Sequence, residues 1–335
     1  MKREMLFLPL VLLVIALAGC DGGNNTGKAD GVAISFIQDA PPAVVYDNSQ
    51  FLFDVAVKIE NKGESAIPPG HLKVELSGIS KDDFGGTGYR GFNENELRKT
   101  YTDSSGTVVA GDTDYIYLRE FNYNKNIRGN EIPFVIRADV CYHYQTVAIA
   151  KICVKKQFSA PGEVMVCNVN EAKAVDVSSA PVTVTNFREM PGGSKDGKTR
   201  ISFSFDIETA GKGTAYKHYC GGKSSPSNSI CAGYPANTDT LCLAQITSPT
   251  ERMQQTNRIN VWVDTGISGK LDCSGLTLEA GRRGDIQLYQ GKRTITCIQD
   301  ITDEERAYER PVTIQLEYDY DDFIEAPVVV KHVGG

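Results

Sequence analysis

Residues 51–59 read FLFDVAVKI and residues 201–207 read ISFSFDI, and in both stretches apolar and polar side chains alternate. Alternation with a period of two places one set of side chains on each face of a strand, so both stretches predict half-buried β-strands. Gly, Asn, Asp and Pro punctuate the chain about every ten residues. The helix candidates, at 93–100 and 302–307, are few and short. The sequence therefore predicts an all-β fold.

Two pairs of similar segments occur in the same order along the chain. FDVAVKIENKGESA at 53–66 resembles FSFDIETAGKGTAY at 203–216, and in each an alternating stretch enters a turn that contains glycine. EIPFVIRAD at 131–139 recurs as ERPVTIQLE at 309–317. We interpret the two copies as a duplication of one sandwich-like unit.

An aromatic-rich segment follows the second of these segments in each copy, CYHY at 141–144 and YDYDDF at 318–323. We interpret both segments as turns. A last strand then closes each unit, at 148–154 in the first copy and at 327–331 in the second. In the first unit this arrangement predicts a hairpin whose polar turn lies at 143–146.

Composition divides the chain into five segments. Pro-Gly at 161–162 and SSAP at 178–181 are typical of a linker. Roughly 315 mature residues suffice for two domains of ordinary size, each with its own core. The predicted segments are a lipoprotein signal peptide at 1–19, a flexible tether at 20–30, a first β-sandwich domain at 31–158, a linker at 159–180 and a second β-sandwich domain at 181–335.

The N-terminus has the features of a lipoprotein signal peptide. Lys2 and Arg3 precede an almost unbroken apolar run at 5–16, which is too short to span a membrane comfortably. LAGC at 17–20 resembles the lipobox of lipoprotein signal peptidase, with small residues before a cysteine that receives the acyl chains. An ordinary signal peptide or an uncleaved anchor is the alternative. We predict a lipid on Cys20 that holds an outward-facing protein on the cell membrane.

The charge of the chain argues against some partners. The sequence has 35 Lys and Arg against 42 Asp and Glu, a formal net charge of −7. Loss of a signal peptide with two basic residues and one acidic residue brings the charge to −8. An acidic chain does not offer a basic face to nucleic acid or to anionic lipid. The predicted partners are the membrane, through the lipid, and another envelope protein or a surface glycan.

Eight cysteines follow Cys20, and an even number in an exported chain predicts a disulfide framework. Zinc is the alternative, chiefly at His218, Cys220, Cys231 and Cys242, but no tight C-x2-C pair is present. A hairpin would bring Cys141 within disulfide distance of its partner. The predicted pairs are Cys141–Cys153, Cys273–Cys297, Cys220–Cys231 and, by elimination, Cys167–Cys242.

IENKG at 59–63, followed by a strand at 72–76, resembles the Ig-like, CARDB-type modules of archaeal and bacterial surfaces. The aromatic hairpin between Cys141 and Cys153, SSAPVTVTNF at 178–187 and PVTIQLEYDY at 311–320 resemble segments of uncharacterised two-domain archaeal proteins. The resemblance covers most of residues 31–333. The second unit departs from the pattern, because it has Ala-Gly at 210–211 where the first has Asn-Lys-Gly at 61–63. The resemblance implies two tandem Ig-like β-sandwich domains at a cell surface and no catalytic residues.

The sequence predicts no catalytic residue, metal site or cofactor. The G-x-S-x-G elbow, the P-loop, the dinucleotide fingerprint and H-E-x-x-H are all missing. Acid–base or metal chemistry needs His and carboxylates that converge on one pocket. The four histidines are scattered over both units, and we interpret each as a surface or turn residue. They are His71, His143, His218 and His332.

The densest group of carboxylates is formed by Asp319, Asp321 and Asp322, with Glu317 nearby. Calcium is one interpretation, because this ion takes six to eight oxygen ligands. The spacing matches no calcium loop, and alternate residues of a strand point to opposite faces. We favour a solvated acidic edge that discourages pairing between strands of different molecules.

Aromatic residues form two further groups. Exposed tyrosine rows can bind glycans or protein partners, whereas half-buried strands use the same residues for packing, which we favour. Trp262, the one tryptophan, is interpreted as a core residue. The two groups are Tyr115, Tyr117, Phe121 and Tyr123, and then Tyr142 and Tyr144.

These features favour a non-enzymatic cell-surface lipoprotein that is a structural, adhesive or accessory binding module of the cell envelope. A solute-binding lipoprotein of a transporter is one alternative, but it usually needs two helix-rich α/β lobes. A secreted glycan-acting enzyme on a β-scaffold is another. It would need two carboxylates about 5–9.5 Å apart at a cleft.

Overall fold

The protein is described from a computed structural model, which covers residues 31–48, 51–155, 167–195, 198–218, 249–301 and 307–333. Strands make up most of this part of the chain, and nearly all of them pair in antiparallel fashion. The predicted all-β sandwich is therefore confirmed.

The strands are mostly short, with two exceptions of 24 residues each. The order is β1 (Val32–Phe36), β2 (Val44–Tyr46), β3 (Phe53–Asn61), β4 (Leu72–Ser77), β5 (Arg90–Phe92), β6 (Tyr101–Thr102), β7 (Val108–Val109), β8 (Thr113–Phe121), β9 (Glu131–Val154), β10 (Glu171–Ala172), β11 (Val175–Val177), β12 (Val182–Lys195), β13 (Lys198–Thr209), β14 (Thr214–Lys217), β15 (Arg258–Asp264), β16 (Leu271–Cys273), β17 (Arg283–Gln287), β18 (Lys292–Ile301) and β19 (Tyr308–Lys331).

Helices are a minor part of the fold. They are α1 (Lys81–Phe84), α2 (Pro249–Gln255) and a 3₁₀ turn at Glu279–Gly281. In α1, Ser80 caps the N-terminus by accepting a hydrogen bond from Asp82 N at 3.1 Å. The helix predicted at 93–100 is wrong, because this segment is irregular. The one predicted at 302–307 lies almost entirely outside the described residues.

The two long strands form the centre of the largest sheet, whose order is β17-β15-β19-β9-β4-β5. They are antiparallel along their whole length, from Glu131 opposite Lys331 to Val154 opposite Tyr308. The even-numbered residues of β9 are buried from 136 to 154, as are those of β19 from 312 to 320. The odd-numbered residues form the other face and are mostly polar. We call the two sides the even face and the odd face.

The predicted turns at 143–146 and 318–323 are wrong, because both segments lie in the middle of the long strands. The four tyrosines of these segments, Tyr142, Tyr144, Tyr318 and Tyr320, point to the even face, whereas His143, Asp319 and Asp321 point to the odd face. The aromatic and charged residues therefore alternate because they lie on opposite faces of a strand. Strands of ordinary length have about 3–10 residues, so a run of 24 is outside the usual range.

Two smaller sheets cover the even face, β1-β3-β8 and β10-β12-β13-β18-β16. Four fully buried tyrosines lie where the long strands meet both of these sheets. The hydroxyl of Tyr318 accepts a hydrogen bond from Val182 N at 3.3 Å and lies 2.9 Å from Thr146 Oγ1. The hydroxyl of Tyr320 accepts one from Gly213 N at 2.7 Å. The four are Tyr142, Tyr144, Tyr318 and Tyr320.

Strand pairing repeats between the two copies. Ile34 lies opposite Ile59 in the first copy, and Val184 lies opposite Ile207 in the second. The turns that differ in sequence are also alike. The amides at 62 and 63 both donate to the carbonyl of residue 31, and those at 210 and 211 both donate to the carbonyl of residue 181. The turn of the second copy therefore has the same backbone hydrogen bonds as that of the first, although it contains Ala-Gly instead of Asn-Lys-Gly.

Each long strand ends against the other copy. The C-terminal end of β19 pairs with β2, and Asp47 of the first copy accepts from Val333 N. The C-terminal end of β9 pairs with β11, and Thr146 of β9 donates to the carbonyl of Val182 in the second copy. Separate domains at 31–158 and 181–335 stay a prediction, but the two copies share their central strands.

The described residues decide three of the four predicted disulfides. The predicted pair Cys273–Cys297 is confirmed, with a Cα–Cα distance of 4.0 Å on neighbouring strands. Cys141 and Cys153 lie twelve positions apart on β9, roughly 40 Å along an extended strand, so their predicted pairing is wrong. Cys153 bonds Cys167 instead, which also makes the pair Cys167–Cys242 wrong. Cys141 is disulfide-bonded too. Cys20, Cys220, Cys231 and Cys242 lie outside the described residues, and so do the predicted lipid and the predicted pair Cys220–Cys231.

A buried carboxylate also joins the copies. Both carboxylate oxygens of Glu189 accept from Cys153 N, at 3.0 and 2.9 Å, and Lys173 Nζ lies 3.5 Å away. Burial, opposed by these partners, raises the pKa of Glu189 from 4.5 to about 7. Between these two pH values the folded state holds more protons than the unfolded state. The contribution of Glu189 to the free energy of unfolding therefore falls as the pH rises through this window.

We expect the unfolding free energy of the wild type, measured relative to Glu189→Gln, to fall from about pH 4.5 to 7 and to be constant above. Gln keeps an acceptor for Cys153 N and does not titrate. Glu189→Ala should lower the free energy of unfolding by about 1–3 kcal/mol, because it leaves the buried amide of Cys153 without a hydrogen-bond partner. Urea unfolding between pH 4 and 8 measures both effects, with the exposed Glu94→Gln as the control. A difference that stays constant across this range would contradict the interpretation.

Candidate functional site

Three of the four histidines lie together on the odd face. His143 is in the middle of β9, and its amide donates to the carbonyl of His71, which directly precedes β4, at 3.1 Å. His218 directly follows β14, which pairs with β19. The ring centroids of His143 and His218 are 3.8 Å apart, and those of His71 and His143 are 6.1 Å apart. Strand pairing therefore gathers three residues that are far apart in the sequence.

Two carboxylates of β19 complete the cluster. Asp319 lies directly opposite His143 in the strand pairing. Its Oδ1 is 2.7 Å from His218 Nδ1 and 3.5 Å from His143 Nδ1. Glu317 Oε1 is 3.2 Å from His143 Nε2. Both carboxylates are buried, Glu317 at 6% and Asp319 at 2% exposure. We call these five residues, His71, His143, His218, Glu317 and Asp319, the histidine–carboxylate cluster.

The hydrogen bonds orient the rings. Because Asp319 occupies the Nδ1 side of His218, Nε2 is the nitrogen of that ring left for another partner. His143 Nε2 faces Glu317. Asn260, which lies opposite Glu317 on β15, donates from Nδ2 to the carbonyl of His218 at 3.0 Å. Asn260 Oδ1 is buried and has no hydrogen-bond partner.

The cluster holds separated charges in a buried place. Burial alone would lower the pKa of His143, but its contacts with Asp319 and Glu317 raise it to about 9. Burial would raise the pKa of Asp319, but the charges and hydrogen bonds of His218 and His143 lower it to about 2. The pKa of Glu317 is lowered in the same way, chiefly by the hydrogen bond from His143. Burial and the two neighbouring histidines lower the pKa of His71.

This chemistry suits ion binding better than acid catalysis. Glycoside hydrolysis needs one carboxyl with a raised pKa beside an ionised one, and here the pKa of both carboxyls is lowered. Cys141, two residues from His143 on the same face, is disulfide-bonded and is therefore no thiolate nucleophile. Two imidazoles and a carboxylate can together bind a metal ion.

The structure corrects two predictions about these residues. His143 lies inside a strand and His218 is buried, so neither is the predicted surface or turn residue, whereas His71 does lie in a turn; the three are not scattered, because they converge on one face of one sheet. Glu317 and Asp319 are not on a solvated acidic edge, because β19 is an interior strand of its sheet. Adjacent Asp321 and Asp322 belong to opposite faces. The fourth histidine, His332, lies away from the cluster, with its Nδ1 2.7 Å from Asp47 Oδ2.

The aromatic predictions have mixed outcomes. Tyr142 and Tyr144 are core residues, and so are Phe121 and Tyr123. Tyr115 and Tyr117 are about half exposed on edge strand β8, where Arg119 lies over the ring of Tyr117. Trp262 is not in the core. It is half-buried on the odd face beneath Arg283, with the guanidinium carbon 5.7 Å from the ring centroid.

The sequence contains no local motif for this cluster. The signal that could have revealed part of it is the duplication, because the two copies of one strand pair with each other. Tyr142 lies opposite Tyr320, its own counterpart in the second copy, and this register places His143 opposite Asp319. His71 and His218 flank shorter strands, and nothing in their sequence neighbourhood indicates their position.

The chain is thus an all-β sandwich protein with a buried histidine–carboxylate cluster on its largest sheet. No protein-family model and no curated protein matches it. Among solved structures it is similar to the secreted serine protease VesC from Vibrio cholerae, at 8% identity and a TM-score of 0.19. The match covers 86% of this chain and 50% of that one, so the chain spans about half the length of VesC. A similarity this weak carries no argument about fold or activity.

Proposed function

We propose that the chain is an exported lipoprotein without catalytic activity, a structural, adhesive or accessory binding module of the cell envelope. A lipid on Cys20 holds it on the outward-facing side of the cell membrane. Its partner is another envelope protein or a surface glycan. The lipobox-like LAGC at 17–20, the short apolar run before it and the resemblance to Ig-like surface modules support this proposal.

The observation that carries the proposal is the shared pair of long strands. Twenty-four residues span roughly 80 Å when extended, and somewhat less with twist. Two units joined by a flexible linker can move against each other, whereas here one continuous hydrogen-bonded ladder runs through both copies and limits such movement. A stiff protein of this length on a lipid anchor suits a spacer or a platform that holds a binding surface away from the membrane.

The two alternatives have less support. A solute-binding lipoprotein of the usual kind has helix-rich lobes, and the α-helices in the described part of this chain have four and seven residues. A glycan-acting enzyme would need a carboxyl group kept protonated beside an ionised one. The carboxyls of the histidine–carboxylate cluster have the opposite pKa shift.

No helix among the described residues is long and apolar enough to cross a membrane. Under the proposal, membrane attachment depends on Cys20, which lies outside those residues. We expect Cys20→Ser to move the protein from the membrane fraction to the soluble fraction. Two or more acyl chains bind a bilayer stably, whereas a protein that carries no acyl chain lacks this attachment. Fractionation with immunoblotting, and mass spectrometry of the extracted N-terminal peptide, measure this.

Gly23→Ser is the matched control, because it changes the tether and leaves the cysteine. This variant should stay in the membrane fraction, with residues 1–19 missing and acyl mass on Cys20. If Cys20→Ser is retained in the membrane as well as the wild type is, the lipoprotein proposal fails.

A further inference from the structure

The histidine–carboxylate cluster has the donor geometry of a metal site. The donor atoms of His143, His218 and Glu317 all lie within 4.8 Å of one another. Donors around a tetrahedral zinc ion, with bonds of about 2.0–2.1 Å, are about 3.4 Å apart. The distance of 3.2 Å between His143 Nε2 and Glu317 Oε1 is close to this value. We propose that His143, His218 and Glu317 bind one divalent transition-metal ion of the zinc class.

Asp319 has the position of an orienting carboxylate. Histidine ligands commonly donate their second ring N–H to a carboxylate, which fixes the tautomer and the ring orientation. Asp319 Oδ1 lies 2.7 Å from Nδ1 of His218 and 3.5 Å from Nδ1 of His143. Asp319 therefore leaves Nε2 of His218 as the metal-binding nitrogen, and in His143 it is Nε2 that faces Glu317.

Charge and burial also fit a dication. With neutral imidazoles, Glu317 and Asp319 give the cluster two negative charges, equal and opposite to one divalent ion. Buried charges are costly unless they are paired or bind a metal. Next to these paired carboxylates, Asn260 lies opposite Glu317, is 2% exposed and has a buried Oδ1 without a hydrogen-bond partner.

The donor set selects the kind of metal. Imidazole nitrogen suits zinc, copper, nickel and iron, whereas calcium and magnesium prefer an all-oxygen set. Two of the three donors here are imidazoles, so the calcium interpretation of Asp319 is less favourable. His143 belongs to β9, while His218 and Glu317 belong to the second copy. A bound ion would therefore link the two halves of the protein, so we expect it to stabilise the fold.

The experiment uses the intact chain, stripped of metal with a chelator and titrated with Zn²⁺. We expect one ion per chain by competition with a chromogenic chelator. Saturation should raise the Tm by roughly 5 °C, because an ion that binds the folded state stabilises it. Ca²⁺ should leave the Tm unchanged. Co²⁺ should give the visible absorption of four- or five-coordinate cobalt.

Variants separate the proposed site from adventitious binding. Glu317→Gln and His218→Gln should abolish stoichiometric binding and the zinc-dependent Tm shift. Asp319→Asn should weaken binding by roughly 10–100-fold, the usual effect of losing an orienting partner. His332→Gln, at a histidine outside the cluster, should bind like the wild type. If a variant does not fold, the cobalt spectrum and zinc-dependent Tm of the wild type still test the proposal.

Three results would overturn the proposal. The first is the absence of stoichiometric zinc binding to the intact chain. The second is zinc binding that survives Glu317→Gln and His218→Gln in folded protein. The third is an equal Tm shift with Ca²⁺, which would indicate an oxygen site elsewhere. None of these results depends on the lipid anchor, so the surface-module proposal can fail or stand independently.

Discussion

Residues 31–158 and residues 181–335, produced as separate chains, are expected not to fold. In the first fragment, β9 would lose all of its pairing with β19. The C-terminal half of β9 would also lose the sheet β10-β12-β13-β18-β16, which covers its even face in the intact protein. That half carries Thr146, Ala148, Ala150, Ile152 and Val154, all buried in the intact protein. In the second fragment, Val328 and Val330 would lose their cover in the same way.

Burial of a Val or Ile side chain contributes about 1.5–3 kcal/mol, and a whole domain is stable by only about 5–15 kcal/mol. The lost burial of two such side chains in each fragment, together with the loss of the 24-residue strand ladder, is therefore enough to unfold either fragment. This expectation is the opposite of the independent folding that the sequence predicts. Near-UV circular dichroism and urea unfolding of each fragment, made under oxidising conditions, measure it.

The fragments offer their own control. Co-refolded in equal amounts, they should form a one-to-one complex that unfolds cooperatively, because each supplies the strand that the other lacks. A fragment that alone shows a cooperative transition, with an m-value appropriate to its length, would mean that the shared strands are dispensable.

The second large effect is expected at the tyrosines of the even face. Tyr318 is fully buried, and its hydroxyl contacts Thr146 and Val182 from both copies. Tyr318→Ala should cost about 3–5 kcal/mol, as other large aromatic-to-alanine changes in cores do, and it also leaves Val182 N without its partner. Against a total of about 5–15 kcal/mol, this is a large fraction of the stability.

Tyr318→Phe separates the two causes. It keeps the ring and removes only the hydroxyl, so it should cost about 1–2 kcal/mol. Tyr289→Ala, at a tyrosine that is 64% exposed, should change the stability by less than about 0.5 kcal/mol. The midpoints of urea unfolding at a constant m-value give all three numbers. An equal loss from Tyr318→Ala and Tyr289→Ala would show that the buried tyrosine does not stabilise the junction.

The fold class was predictable because period-two alternation is a local property. The duplication was also visible, since the segments at 53–66 and 203–216 do occupy equivalent strands and turns. The long strands were not predictable in the same way. CYHY at 141–144 and YDYDDF at 318–323 look like turns, because their charged residues suggest solvent. Asp319 is nevertheless buried in the structure, because His143 of β9 and His218 after β14 are its partners.

The candidate site was missed for the same reason. His143 and Asp319 are 176 positions apart, and only the antiparallel register of β9 and β19 makes them neighbours. The Cys273–Cys297 pair could be predicted, because those residues flank one stretch of the second copy. The Cys141–Cys153 pair failed because a hairpin was assumed where the chain continues straight.

The shared strands also set the order in which the protein can assemble. Every residue pair between β9 and β19 joins positions from 154 residues apart, Val154 with Tyr308, to 200 residues apart, Glu131 with Lys331. Contacts between positions so distant in sequence slow folding, because the loop entropy is lost before the contacts form. During synthesis, β9 therefore emerges long before its partner, with a 24-residue unpaired edge. The chain gains its native pairing only after its last strand has been synthesised, so protection of the free edge of β9 until then is a requirement of its biogenesis.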